Sequence, residues 1–316
     1  MNNKMIGKKK LIIIVPVHNE QETIPIFVEA ISKIDLLIKP EIVFVDDGST
    51  DESLKVIKKE KATYSGIHYL SFSRNFGKEG GLLAGLRSAV DYDYVAVMDV
   101  DLQDPPELLP QMLSKLQDRN IDMVVARRSN RRDEPLIRSF FSSEFYSLMN
   151  KLSQTKLVAG ERDFRLMKQN VVKAIVSLSE NQRFSKGIFS WVGFKKEYIS
   201  YENRDRSAGK SSWSFIDLFK YAIDGIVSFS TFPLTVITFL GIICFFLSLI
   251  AATVVLVRFF MGIPSAFGWA STIIIVLFFS GVQLLSLGVL GRYIASTYLE
   301  SKKRPNYIVR ESDLKQ

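Results

Sequence analysis

The chain has 316 residues, enough for one large domain or two smaller ones. Its 41 basic and 33 acidic side chains give a formal charge of +8, which suits a nucleic acid, an anionic membrane surface or a phosphorylated small molecule. The single cysteine, Cys244, excludes an intramolecular disulfide framework and fits a reducing compartment.

Lys8, Lys9 and Lys10 precede only five apolar residues, 11–15, before Pro16. That run is too short for a secretory core and predicts a first buried strand, in a domain that stays where it is made. Helical spacing follows over 22–34. Residues 41–45 predict a strand ending in Asp46-Asp47-Gly48-Ser49-Thr50, and Ser49, Thr50 or Asp51 can cap a helix reaching about Lys61. Residues 67–72 predict a strand and 79–90 a Gly- and Leu-rich helix. Residues 94–98 predict a strand, 106–117 a helix with Pro at its start, and 122–126 a strand. Such alternation predicts a mostly parallel sheet with helices on both faces.

In such sheets ligands bind at the carboxyl ends of strands. Polar clusters stand there: Pro16 to Glu20, Asp46 to Ser49, Ser73 to Lys78, and Asp99 to Asp104. Any one of them can be a solvated turn; four on one edge point to a ligand. No GxGxxG follows the first strand and no Walker lysine motif or GxSxG elbow occurs. His18 and His68 are the only histidines, so no zinc cluster can be assembled. Asp99 and Asp101, at i and i+2 where a strand ends, offer the hard oxygens that Mg²⁺ or Mn²⁺ takes together with substrate phosphates.

The carboxyl-terminal third has a different solvent. Residues 232–257 and 269–291 carry no charge, and each meets the roughly 20 residues needed to cross a bilayer. The loop between them holds only Arg258, whereas Arg204, Arg206, Lys210 and Lys220 precede the first span and Arg292, Lys302, Lys303, Arg304, Arg310 and Lys315 follow the second. Basic residues mark the cytoplasmic side, so both termini are expected there. In residues 213–229 Asp217, Lys220 and Asp224 form one narrow polar stripe, which suits an interfacial amphipathic helix or one packed on the soluble domain. Gly281, Gly288 and Gly291 would allow close helix contact, which leaves a homo-oligomer open.

The ordered blocks IIIVPVHNE, VFVDDGSTDES, SRNFGKEGGLLAGL and MDVDLQDPPEL resemble the family 2 glycosyltransferases of GT-A fold. Arg128-Ser129-Asn130-Arg131, Asp163 to Met167, NQRFSKGIFSWVGF and RSAGKSSW narrow the resemblance to the polyprenyl-phosphate glycosyltransferases, which include bactoprenol glucosyltransferases and dolichyl-phosphate mannose synthases. It covers about residues 10–300. The resemblance implies a cytoplasmic, Rossmann-like GT-A domain (1–212), the interfacial helix (213–230), a transmembrane hairpin (231–291) and a basic cytoplasmic tail (292–316) at the plasma membrane.

It also implies inverting transfer of one hexose, glucose or N-acetylglucosamine, from a UDP-sugar to undecaprenyl phosphate, with no nucleic acid partner. By the same resemblance Pro16, His18, Glu20 and Asp47 hold base and ribose, and Lys78 approaches the nucleotide. Asp99, Asp101 and Gln103 form the metal and diphosphate site. Arg128, Arg131, Arg138 and Ser142 meet the acceptor phosphate, although the basic run 127–138 also fits an unspecific headgroup patch. Arg206 and Lys210 close over the donor phosphates. Asp163 matches the residue usually proposed as base; a phosphate monoester is already largely ionised at neutral pH, so Asp163 is equally suited to orient Arg165 or a sugar hydroxyl. The alternatives are a GDP-mannose-using synthase, a processive polysaccharide synthase, for which the QxxRW block is missing, and an inactive membrane-tethered nucleotide-sugar-binding protein.

Overall fold

The computed structural model of the protein describes residues 9–129, 150, 158, 160–202, 226–262 and 268–314. Strand β1 (Leu11–Val17) is the centre of the sheet and is almost wholly buried. Leu11, Ile13, Val15 and Val17 join one apolar cluster while Ile12 and Ile14 join the other. That period of two is what a strand covered on both faces requires.

Along the chain follow α1 (Thr23–Ser32), β2 (Pro40–Asp46), α2 (Ser53–Thr63), β3 (Ile67–Phe72), α3 (Lys78–Ser88) and β4 (Tyr94–Val97). A 3₁₀ turn at Pro106–Leu108 leads into α4 (Leu109–Lys115), then β5 (Met123–Arg128), β6 (Glu161–Lys168), α5 (Gln169–Ser177), α6 (Ser185–Trp191) and β7 (Lys196–Tyr201). Ile24, Phe27, Val28 and Ile31 of α1 and Met112 and Leu113 of α4 pack on one face. Leu82 and Leu86 of α3, Val171, Val172 and Ile175 of α5 and Phe189 of α6 pack on the other. Each such side chain buried contributes roughly 2 kcal/mol of transfer free energy. The sheet and α3 are in close contact: a Cβ on Gly85 would come within 2.2 Å of Ile14.

The described sheet has eight strands in the order β7-β5-β6-β4-β1-β2-β3-β8, where β8 is Val309–Ser312. Strands β4, β1, β2 and β3 are mutually parallel, and β6 lies antiparallel between β4 and β5. Two antiparallel steps return β5 to the direction of β4, and β7 runs parallel to β5. The carboxyl ends of β1 to β5 and the amino end of β6 therefore share one edge.

Helices α7 (Phe232–Phe260) and α8 (Trp269–Ser301) are long and apolar enough to cross a membrane, with mean hydropathies of 2.8 and 2.5 over an 18-residue stretch within each. Neither apolar window is buried within the chain, so these are not core helices of the sheet domain. The Tyr293 hydroxyl donates to the Ser230 carbonyl (2.7 Å), so the start of α7 and the late part of α8 meet on the same side. Of the expected interfacial helix, residues 226–229 are helical and 213–225 lie outside the described residues.

The tail differs from the expectation of a simple basic extension. Helix α8 continues ten residues past 291, about 15 Å. The chain then crosses the sheet domain and adds β8, antiparallel, to the free edge of β3. The Glu300 carboxylate accepts the Asn181 amide at 2.9 and 3.2 Å. The Tyr307 ring stacks on Phe72 with centroids 5.1 Å apart. Asp313 accepts from the Tyr69 amide (2.6 Å), from Lys61 and from His68 (3.0 Å). A four-residue strand with two charges carries no readable period, which is why the sequence pattern hides it.

Burial alone would raise the Asp313 carboxyl, but the bonds from Lys61, the Tyr69 amide and His68 hold it below the usual range. A carboxyl with a lowered folded pKa stabilises the fold above its unfolded value of about 4 and loses that contribution as pH falls through the folded value. Limited proteolysis in detergent is expected to find the tail equally protected from pH 7 to about pH 5 and progressively cut below about pH 4. Asp313→Asn should weaken protection at neutral pH and flatten that dependence.

Candidate active site

Two turns at the ends of β1 and β2 are tied together by side chains. Asn19 adopts a left-handed backbone (φ 56°), and its Oδ1 accepts the Thr50 amide at 2.8 Å. The Asn19 amide donates to Ser49 Oγ at 3.0 Å and the Glu20 amide to Ser53 Oγ at 2.8 Å. The N-cap of α2 is Glu52, with no side-chain cap bond, rather than the expected Ser49, Thr50 or Asp51; Asp51, one residue before it, accepts the Ser53 amide at 3.0 Å. His18 is exposed, Pro16 and Glu20 are half-buried, and Nδ1 of His18 lies 3.0 Å from the Asp47 carbonyl.

The two acids after β2 have different partners. Asp46, fully buried, accepts the Ser49 amide (3.0 Å) and the Ser71 hydroxyl (2.7 Å). Asp47 accepts the amides of Phe76 (2.6 Å) and Gly77 (2.8 Å), so it holds the loop after β3. Burial pushes its carboxyl up despite those donors. Between the loops, Gly48 has φ 63°, and a Cβ there would stand 2.3 Å from the Arg74 carbonyl carbon. Only glycine allows that approach.

After β4 the three clustered carboxylates separate by role. Asp104 turns inward: it is 3% exposed and accepts from Arg162 Nε (3.1 Å) and the Tyr201 hydroxyl. Arg162 also donates to Gln103 Oε1 at 3.1 Å. Asp101, nearly buried, accepts the Gln103 amide at 3.2 Å across Leu102, whose φ of 55° is strained for a residue with a Cβ. Asp99 is a third exposed at the strand end.

Strand β6 brings the last acid. Its register pairs Val97 with Arg165, and Asp163 and Asp99 lie two residues beyond that last pair, on the same edge. Lys78, the first residue of α3, donates to both carboxylates, at 2.7 Å to Asp99 and 2.5 Å to Asp163. Burial alone would lower the Lys78 ammonium, but Asp163 and Asp99 outweigh it and push it above the usual lysine range. Burial would raise Asp163, but Lys78, Lys186 and Arg165 hold it well below the carboxylate range. Arg165 is fully buried, donates to the carbonyls of Asp163 (3.1 Å) and Arg162 (2.8 Å), and lies over the Phe189 ring at 3.7 Å. Lys78→Met leaves the two carboxylates unbridged and is expected to lower turnover about a hundredfold, measured as kcat at saturating substrates.

Arg128 ends β5 on this same edge and is half-buried. Arg131, Arg138, Ser142, Arg206 and Lys210 lie outside the described residues. The sequence reading passed over Asn19, Glu79, Arg162 and Lys186. Glu79 follows Lys78, and its carboxylate accepts the Ser185 amide at 3.0 and 3.1 Å, fastening α6 to α3. For Arg162 a signal existed: in Glu161-Arg162-Asp163-Phe164-Arg165, charge alternates along a strand that continues as Leu166-Met167.

Among the described residues no group of three or more His, Cys, Asp or Glu is clustered for a metal. Asp99 and Asp101 still fit a hard divalent ion, because such an ion can complete its shell with diphosphate oxygens and water.

A parallel-centred sheet with a Asp-x-Asp turn on its ligand edge is the architecture of the GT-A glycosyltransferases. The sequence model of glycosyl transferase family 2 matches residues 12–176, and the chain belongs to that family. It is 41% identical over 310 residues to the bactoprenol glucosyl transferase of Shigella phage SfV, covering 97% of this chain and 100% of that one. It is 40% identical over 304 residues to the prophage bactoprenol glucosyl transferase homolog of Escherichia coli (strain K12), covering 95% and 98%. Among solved structures, glucosyl-3-phosphoglycerate synthase from Mycobacterium tuberculosis in complex with Mn²⁺, uridine diphosphate and phosphoglyceric acid superposes with a TM-score of 0.50 at 18% identity, over 71% of this chain and 78% of that one. That likeness concerns the fold.

Proposed function

We propose that the protein transfers a single hexose from a UDP-sugar to undecaprenyl phosphate on the cytoplasmic leaflet, inverting the anomeric centre. The observation that carries this reading is the bridge Asp99–Lys78–Asp163 on the ligand edge of a sheet joined to an apolar hairpin. Full-length similarity to bactoprenol glucosyl transferases supports it.

The nucleotide lies over the β1 and β2 turns, where Pro16, His18, Glu20 and Asp47 face base and ribose. Asp99, Asp101 and Gln103 would hold Mg²⁺ or Mn²⁺, which when bound supplies the positive charge that a departing diphosphate needs. An oxygen of the lipid phosphate gives its electron pair to the anomeric carbon. The bond from that carbon to the β-phosphate oxygen breaks, and the pair leaves on UDP. Arg128, with Arg131, Arg138 and Ser142, steadies the acceptor phosphate, and Arg206 and Lys210 the donor phosphates. Asp163, kept ionised by its cationic neighbours, is a weak proton acceptor beside a phosphate whose second pKa is near 6. It orients rather than deprotonates. The sheet domain, both termini and the tail lie on the cytoplasmic side of the plasma membrane.

The test is a transfer assay in detergent with undecaprenyl phosphate, Mg²⁺ or Mn²⁺ and labelled UDP-glucose, UDP-N-acetylglucosamine and GDP-mannose. Labelled lipid from one UDP-sugar, lost on adding EDTA, is the expected result. Label from GDP-mannose alone would move the assignment to a mannose synthase. No labelled lipid from any donor, with nucleotide binding intact, would overturn the reading.

A further inference from the structure

We propose that Lys186 is a direct contact for the acceptor phosphate, a residue assignment that rests on the lipid-phosphate reading above. Three cations act on Asp163: Lys78, Arg165 and Lys186. Lys78 is committed to Asp99 and Asp163. Arg165 has no exposed surface; it is committed to two backbone carbonyls, to Glu161 at 3.5 Å and to the Phe189 ring. Lys186 is half-buried and makes no hydrogen bond or ion pair among the described residues. Lys78 has two of its three donors taken, and the Arg165 guanidinium is sealed from any ligand by burial; among the described residues Lys186 has all its donors open.

The neighbours of Lys186 fix where it stands. Ser185 is held by the Glu79 carboxylate, one residue from Lys78. On the other side, a Cβ on Gly187 would come within 2.5 Å of the Phe229 ring, and Phe184 meets the same ring edge-on at 5.9 Å. Phe229 lies three residues before α7 begins. Lys186 thus stands between the carboxylates of the sheet edge and the point where the chain enters its apolar hairpin. A phosphate drawn from a bilayer on its lipid tail reaches this position before it reaches Asp163. It arrives with a charge of about −1.5 to −2 and would be repelled by Asp163 and Asp99. An uncommitted ammonium on a flexible stem offsets that repulsion and can follow the phosphate as its charge falls on forming the diester.

The experiment uses the full-length protein in detergent with undecaprenyl phosphate. Lys186→Gln is expected to raise the acceptor KM about 10- to 100-fold, with UDP affinity unchanged. Lys186→Arg should restore most of it. An unchanged acceptor KM, a raised donor KM instead, or a lower kcat with only a shifted pH profile would overturn the proposal, the last because it would show Lys186 acting through Asp163. An independent reading needs no variant: amine-reactive labelling of Lys186 in the wild type, followed by mass spectrometry. Protection by undecaprenyl phosphate but not by undecaprenol or UDP supports the assignment; equal labelling in all three overturns it. If the wild type forms no lipid-linked sugar, the function reading itself fails. If it does and Lys186→Gln behaves like wild type, only this assignment fails.

Discussion

Asp101→Asn is expected to reduce kcat about a thousandfold while leaving the melting temperature in detergent nearly unchanged. Asp104→Ala, three residues away, should do the reverse in kind: it destabilises the protein first, and activity falls with the folded fraction. The geometry separates the two. Asp101 spends one oxygen on the Gln103 amide and sits at a turn where Leu102 takes a strained left-handed backbone. Strain held in place by packing is stored where a group must be aimed. An asparagine preserves the amide contact and the volume but removes the charge. Asp104 instead lies inside, bonded to Arg162 and Tyr201. Burial pushes its carboxyl up, and Arg162 opposes that. Removing it strands a partly buried guanidinium and the Tyr201 hydroxyl, a loss of about 2–3 kcal/mol, since Arg162 keeps some contact with water. Thermal melts beside single-turnover rates check the pair. Equal loss of stability in both variants would refute the division of roles.

Removing residues 304–316 is expected to abolish transfer and UDP binding together, although the deleted segment contains none of the proposed ligands. Strand β8 covers the edge of β3, and Arg310 donates to Ser71 Oγ at 3.3 Å. Ser71 donates in turn to Asp46, which fixes the Ser49 amide in the turn after β2. Asn306 packs so closely that its carbonyl would be 3.3 Å from a Cβ on Gly80, two residues from Lys78. The tail therefore supports both the turn after β2 and the helix that carries the bridging lysine. Tyr307→Ala is the milder form, costing about 2 kcal/mol through the lost stack on Phe72. UDP binding by calorimetry separates the outcomes: a truncated protein that still binds UDP with wild-type affinity would show the tail to be dispensable.

What the sequence makes legible is what short-range pattern encodes. The strands at 11–17, 40–46, 67–72 and 94–97 are apolar runs closed by polar turns, and the edge they share follows from their alternation with helices. The mostly parallel sheet and the two long apolar helices were readable for that reason. The antiparallel insertion of β6 was not, because register between distant strands leaves no mark in either one. Nor could composition tell Asp104, which anchors, from Asp99, which faces the ligand edge; both are aspartates in one hexapeptide, and the difference lies in Arg162 and Tyr201 far along the chain. Lys186 was hidden among ordinary basic residues, since its lack of a partner among the described residues is a property of the fold alone.

The position of β8 after both apolar helices sets an order of synthesis. While the ribosome makes the hairpin, β3 presents an open edge, the kind that pairs with foreign strands. The closing strand emerges only when both helices have left the ribosome. A chain cut short before residue 309 keeps that edge bare and leaves the turn after β2 without its brace from Arg310.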